Sequence, residues 1–196
     1  MKLLAILLIP YFFLLHAQPV QFGVKGGVSL TEPTRYTSPE SRRYTLGPTV
    51  EFQLPRQFAI ETGFLYKRVG TGFDFQFPDY KASQRSRGNS FEIPVVGKYY
   101  FRPPSKWTPY LGLGVAMRRT WQSTEGTSTS SLGGSGQFRF SSVSPWGAGA
   151  VGAAGLRFQY RRWKFSPEFR YTRWSQEGLP IQRNPNQVDF LFGISF

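Results

Sequence analysis

A chain of 196 residues can bury one sizeable core, and 24 Lys and Arg against 11 Asp and Glu give it a formal net charge of +13. It contains no Cys and a single His, His16. Disulfides and Cys/His metal sites are therefore excluded, and a Ser-His nucleophile depends on whether His16 is kept.

The chain opens MKLLAILLIPYFFLLHAQPV, with Lys2 ahead of an apolar run and small Ala17 before Gln18. A basic start, a short apolar stretch and a small residue at the exit predict a secretory signal peptide over residues 1–17, cleaved to leave one domain at 18–196. Leu15 is larger than the residue usual two places before a cut. The competing reading is an anchoring helix, but Pro10 would sit inside a run too short to span comfortably. Cleavage removes His16, so no catalytic, cofactor-binding or metal-binding residue is expected, and the chain reads as not an enzyme. A paired-carboxylate hydrolase is formally open, although the carboxylates alternate with Lys and Arg and look structural. In an exported chain, excess positive charge points to anionic lipid and lipopolysaccharide phosphates before nucleic acid. The basic residues are scattered, with no recognisable nucleic-acid motif. A solvated basic surface without a dedicated partner is the plainer alternative.

After the signal segment, one pattern recurs. VQFGVKGGVSL alternates Val20, Phe22, Val24, Val28 and Leu30 with Gln21, Lys25 and Ser29. YTLGPTVEFQL sets Leu46, Val50 and Phe52 against Thr45, Thr49 and Glu51, and FAIETGFLYK sets Phe58, Ile60 and Phe64 against Glu61 and Lys67. FEIPVVGKYYF has Ile93, Val95 and Tyr99 opposite Glu92 and Lys98; PYLGLGVAMR has Leu111, Leu113 and Val115 opposite Tyr110, Ala116 and Arg118. In WGAGAVGAAGLRFQY, Trp146, Leu156, Phe158 and Tyr160 share a parity, with Arg157 between. WKFSPEFRYT alternates Trp163, Phe165, Phe169 and Tyr171 with Lys164, Glu168 and Arg170, and the chain ends VDFLFGISF. A period of two is the strand period, and about eight such segments of about ten residues match tilted membrane strands.

The connections alternate long and short. TEPTRYTSPESRR precedes PRQ, GTGFDFQFPDYKASQRSRGNS precedes RPPSKW, and QSTEGTSTSSLGGSGQFRFSSVS precedes little more than Arg161 and Arg162. Sorting long loops to one rim and short turns to the other is how up-and-down outer-membrane barrels are built. Two long connections carry signals of their own. FDFQF alternates with its parity shifted past Gly70–Gly72, which predicts a bulge or a hairpin rising above the bilayer, and TSTSSLGGSG reads as a mobile Ser/Thr/Gly segment.

Alternation leaves open which face is inside. A soluble lipocalin-like binding barrel would turn the apolar face inward. The mixed-sign set Lys25, Glu51, Glu61, Lys67, Glu92, Lys98, Arg118, Arg157, Lys164, Glu168, Arg170 and Asp189 favours the reverse, because the lumen of eight strands has room only for side chains that pair with one another. Aromatics also gather near strand ends, Tyr99, Tyr100, Phe101 and Trp107 at one turn, Tyr160 and Trp163 at another, Tyr171 and Trp174 towards a long loop, as at membrane interfaces. The fold class expected is all-β, an eight-stranded antiparallel up-and-down transmembrane barrel. Glu61, Glu92 and Glu168 are expected to pair with Lys67, Lys98, Arg157 and Arg170 and plug it. A water-filled pore leaning towards anions is the rival. The small residues from Gly147 to Gly155 leave either a local gap or room for long inward Arg side chains.

FGVKGGVSL, FEIPVVGKYYF, PYLGLGV and VDFLFGISF together resemble the small outer-membrane β-barrel families, PorT-like and OmpA- or OmpX-like. The resemblance implies the outer membrane of a Gram-negative-type bacterium, outer-membrane lipid around the chain, and insertion by the barrel-assembly machinery. That machinery would read a terminal signal at Phe190, Phe192, Ile194 and Phe196. The plainer view of Phe196 is the last lipid-facing residue. The barrel enzymes of such membranes resemble one another in needing a histidine, so the role expected is structural or surface-interacting, in a monomer with an extracellular partner of unknown identity. Arg35, Arg42, Arg43, Arg85 and Arg87, with Lys81, Arg119, Arg173 and Arg183, are candidate lipopolysaccharide contacts in or near the long loops.

Overall fold

The computed structural model describes residues 20–31, 38–39, 43–101, 106–130, 133–175 and 184–196. The signal segment, Arg35, Arg42 and Arg183 fall outside them. The strands are β1 (Val20–Ser29), β2 (Ser38–Pro39), β3 (Tyr44–Gln53), β4 (Phe58–Gly63), β5 (Leu65–Phe77), β6 (Tyr80–Tyr100), β7 (Trp107–Ser130), β8 (Gly134–Val143), β9 (Gly147–Tyr160), β10 (Trp163–Trp174) and β11 (Asn186–Ser195), all in one sheet.

Two interruptions have local causes. β4 and β5 hold a single register against β6, from Phe58 opposite Tyr99 to Phe77 opposite Tyr80. The nick falls at Phe64, whose amide donates to the Pro48 carbonyl at 3.0 Å while Pro48 has no N–H to return the bond. β8 and β9 likewise share one lane along β7, but Trp121 faces Val143 whereas Arg118 faces Gly147. Three residues, Ser144 to Trp146, therefore stand against two, which is a β-bulge. Counted this way, eight strands follow one another in chain order, and β11 pairs with β1 to close the ring, Val24 opposite Ile194. Closure satisfies the backbone without leaving an edge in the bilayer.

Outward residues are apolar and bare: Phe22, Val24, Leu46, Val95, Leu111, Leu113 and Phe169 all stand exposed, Leu113 at 77%. Inward residues of the same strands are buried and mostly polar, Lys25, Thr45, Glu51, Glu61, Lys98 and Glu168 among them. This is the reverse of a soluble lipocalin-like barrel, and a large apolar exterior of this kind needs lipid against it. Rings line both rims of the exterior. Near the short turns, Phe58 lies 5.0 Å from Tyr99, Trp107 4.5 Å from Phe158 and Trp163 5.9 Å from Phe196. Near the other end, Phe64 stacks on Phe91 at 4.9 Å and Phe91 meets Trp121 edge-on at 5.4 Å. Tyr100 and Trp174 do not belong to these belts: both turn inward and are buried, at 5% and 3% exposure. Strand parity decides this, since each lies one residue from an outward neighbour.

The long connections also differ from loops. β7 has 24 residues, while about 9–11 cross a bilayer when tilted. Its outer half, Trp121–Ser130, pairs with β6 on one side and β8 on the other, and the outer half of β6 pairs with β5. β5, β6, β7 and β8 thus run on past the ring as an antiparallel sheet. FDFQF lies inside it with an unbroken register, so of the two readings there is a hairpin and no bulge at that point. Thr127–Ser130 and Gly134–Gly136 of TSTSSLGGSG are paired strand, not a mobile linker: cross-strand hydrogen bonds capture a composition that favours flexibility in isolation.

Candidate functional site: the charged interior and the projecting sheet

Strand alternation sends one side chain in two to the lumen, and among the described residues six buried cations and five buried carboxylates meet there. Glu51 and Glu61 stand directly opposite each other on β3 and β4, an arrangement of like charges that requires a cation. Lys98, reaching over from β6, supplies it, with Nζ 3.1 Å from Glu51 Oε2 and a hydrogen bond to Glu61 Oε2. Glu168, fully buried, accepts from Lys25 at 2.7 Å, from Arg170 Nε at 2.9 Å and from the Tyr110 hydroxyl at 2.7 Å. Lys25 also reaches Glu61 at 2.5 Å, and Arg170 reaches it at 3.1 Å. Arg157 grips both oxygens of Glu51 at 2.6 Å, and the Tyr100 hydroxyl donates to the same carboxylate at 3.0 Å.

A second cluster sits towards the outer end. Lys67 binds Asp189 at 2.7 Å and Glu92 at 3.2 Å, and Gln187 donates to Asp189 at 2.7 Å. Arg118 lies opposite Glu92 in the ladder and stacks on Trp174 at 4.1 Å, while Trp174 Nε1 donates to Gln187 at 3.1 Å. Above these, Ser86, Ser90, Thr120, Gln122 and Thr124 make a layer of uncharged hydrogen bonds. A cavity of about 20 Å³ beside Lys25, Glu51, Glu61 and Arg157 has room for about one water.

The expectation groups Glu61, Glu92 and Glu168 with Lys67, Lys98, Arg157 and Arg170 without assigning pairs. The structure brings Glu92 to Lys67, Glu61 to Lys98 and Arg170, and Glu168 to Arg170, whereas Arg157 takes Glu51 and Lys25 is a hub. Lys164 is only half-buried, at the short-turn end. Two aromatic members, Tyr100 and Trp174, were missed, although their parity with Lys98 and Arg170 marks them as inward. The small residues of β9 leave no gap. A Cβ on Gly155 would come within 2.4 Å of the Tyr110 hydroxyl, and one on Gly149 within 2.8 Å of Trp174 Cε3. The rings of Tyr110 and Trp174 occupy that room at Gly155 and Gly149, and at Gly147 the neighbouring side chain is Arg118.

Outside, Phe190, Phe192, Ile194 and Phe196 share the outward face of β11, with Phe190 5.1 Å from Phe169. On the projecting sheet, Lys81, Arg85 and Arg87 are exposed, and Arg85 lies opposite Glu125, whose carboxylate is bound by Arg139 of β8. Arg43 is half-buried and donates to the Thr31 carbonyl at 3.3 Å. Arg119 faces outward between Trp121 at 5.5 Å and Trp146 at 6.0 Å, and Arg173 is exposed. β8 has β7 on one side and no strand beyond it among the described residues.

A family model described as "outer membrane protein beta-barrel domain" matches residues 16–173. Among solved structures, Neisserial surface protein A (NspA) aligns at 14% identity, covering 90% of this chain and 94% of that one, with a TM-score of 0.51. The N-terminal β-barrel domain of Pseudomonas aeruginosa OprF aligns at 13% identity over 90% and 96% with a TM-score of 0.48. Ail, the attachment invasion locus protein of Yersinia pestis, aligns at 12% over 90% and 95% with a TM-score of 0.47. No curated protein matches the chain.

Proposed function

Because this chain belongs to the outer membrane protein β-barrel domain family and lies in the outer membrane of a Gram-negative-type bacterium, we propose that it is a surface-interaction protein that holds a β-sheet out from the cell on a plugged barrel. The observation that carries this reading is the run of β5–β8 past the ring, with β8 offering an open edge. An open strand edge recruits an extended segment of another chain through main-chain hydrogen bonds, so the extracellular partner would add a strand beside β8. Phe138 and Phe140, 48% and 51% exposed along that edge, would set side-chain preference.

The interior supports the plug over the anion-leaning pore. Its charges are nearly balanced, its carboxylates each hold one or more cations, and removing one partner leaves a buried charge that costs about 3–5 kcal/mol. Residues 1–17 would act as a cleaved signal peptide, and Phe190, Phe192, Ile194 and Phe196 would present the signal read by the barrel-assembly machinery. Arg85 and Arg87, with Arg43 and the loop residues Arg35 and Arg42, would meet lipopolysaccharide phosphates, and the barrel would work as a monomer and not as an enzyme.

Two measurements test this. In planar bilayers the refolded protein should give no steady conductance; discrete, ohmic steps would favour the pore. Cells displaying a variant with Gln122–Ser142 replaced by a short turn should lose adhesion to surfaces that hold the wild type, while the barrel keeps its heat-dependent gel shift. Unchanged adhesion would remove the surface role.

A further inference from the structure

We propose that the short-turn rim is a binding collar for anionic phospholipid headgroups of the periplasmic leaflet. The rim's charge is of one sign. The described residues of the turns that build it, 53–59, 99–101, 106–109 and 158–166, contain Arg56, Lys106, Arg161, Arg162 and Lys164, and no Asp or Glu. Arg56, Lys106, Arg161 and Arg162 are exposed, and the carboxylates nearest in chain to Arg56, Glu51 and Glu61, are buried inside against Arg157 and Lys98. The opposite end is mixed, with Asp74, Asp79 and Glu125 among its cations.

These cations form one continuous arc. The Tyr100 amide donates to the Gln57 carbonyl at 2.9 Å, joining the β3–β4 turn to the β6–β7 connection. The Gln159 amide donates to the Lys106 carbonyl at 3.1 Å, joining that connection to the β9–β10 turn. Three of the basic side chains lie against the aromatic belt: Lys106 over Phe158 at 6.0 Å, Arg161 over Tyr160 at 5.7 Å and Arg162 over Trp163 at 5.8 Å. Rings at that level mark the boundary between hydrocarbon and headgroups, and the cations beside them stand at phosphate height.

The backbone makes the same point independently. Arg161 occupies the first position of a two-residue turn with φ 54°, and Arg56 and the uncharged Gln57 beside it have φ 60° and 70°. Gly or Asn fits such positions with less strain, and neither is used. Turn length selects lipid over the peptidoglycan beyond it. The turns at Pro55–Gln57 and Arg161–Arg162, three and two residues at about 3.3 Å each, barely leave a headgroup layer that is about 5–7 Å thick.

Native mass spectrometry of the detergent-refolded barrel, with phosphatidylglycerol, phosphatidylcholine or inorganic phosphate added, tests the collar. The wild type should retain phosphatidylglycerol in preference to phosphatidylcholine, and millimolar inorganic phosphate should not displace it. A basic residue at an anionic surface strengthens binding about fivefold, so Arg56→Gln/Lys106→Gln/Arg161→Asn/Arg162→Gln should weaken phosphatidylglycerol retention by at least about tenfold. Lys106→Gln/Arg162→Gln, which touches no residue of positive φ, should weaken it several-fold and provides the test if the fourfold variant does not fold. Equal retention of the two lipids, displacement by inorganic phosphate, or undiminished phosphatidylglycerol on the folded double variant would overturn the proposal.

Discussion

Glu168→Gln tests the interior most directly, because it keeps shape and removes one charge from a fully buried site. Glu168 is 0% exposed and takes Lys25 and Arg170 at 2.7 Å each, with Lys98 at 3.8 Å behind them. At an effective dielectric of about 20, each close contact is worth about 6 kcal/mol of Coulomb energy before the cost of dehydrating the ions is subtracted. The net loss on breaking such a buried pair is about 3–5 kcal/mol, since Lys25 and Arg170 keep their dehydration cost and lose their counterion. Glu61 still serves both cations, so the lower part of that range is expected. Urea unfolding from liposomes, followed by tryptophan fluorescence, should show the loss. The temperature of the gel-mobility shift should fall with it. Lys25→Met in the Glu168→Gln background should restore a large part of the stability, because it removes the cation left over. A folded Glu168→Gln variant destabilised by less than about 1 kcal/mol, as expected of solvated ion pairs, would mean that water fills the lumen and would refute the argument.

Gly155→Ala should destabilise by about 1–3 kcal/mol in the same unfolding assay, since its Cβ meets the Tyr110 ring and the Pro167 carbonyl; Gly152→Ala, with nothing within 4 Å, should be nearly silent. Arg161→Gly should raise stability by up to about 1 kcal/mol by relieving the left-handed backbone at that turn, and a clear loss would show that the turn is held by the arginine side chain. Arg85→Glu/Arg87→Glu should lower the amount of lipopolysaccharide that copurifies with the barrel without altering its heat shift, and equal retention would remove those contacts.

The outline of the barrel was legible in the sequence because a strand's side chains alternate whatever surrounds them. Val24, Lys25 and Gly26, or Phe169, Arg170 and Tyr171, announce two faces, and the count of such segments with the long-short rhythm of their connections leads to eight strands and two unlike rims. Tyr110, Glu168 and Arg170 were readable as one face by parity alone. Partners were not readable. Lys25 and Glu168 are 143 residues apart and meet only because β11 closes on β1 and carries β10 around beside it, and no spacing within a strand contains that shear. The same holds for Arg157, which reaches Glu51 across the lumen rather than a neighbour on its own sheet face. Tyr100 and Trp174 face inward although aromatic composition near a strand end points to the rim, because strand parity and not composition sets the face. The Ser/Thr/Gly stretch around Thr127 became strand because β6 and β8 offered their hydrogen bonds on both sides of β7, a decision that belongs to the neighbours and not to the residues.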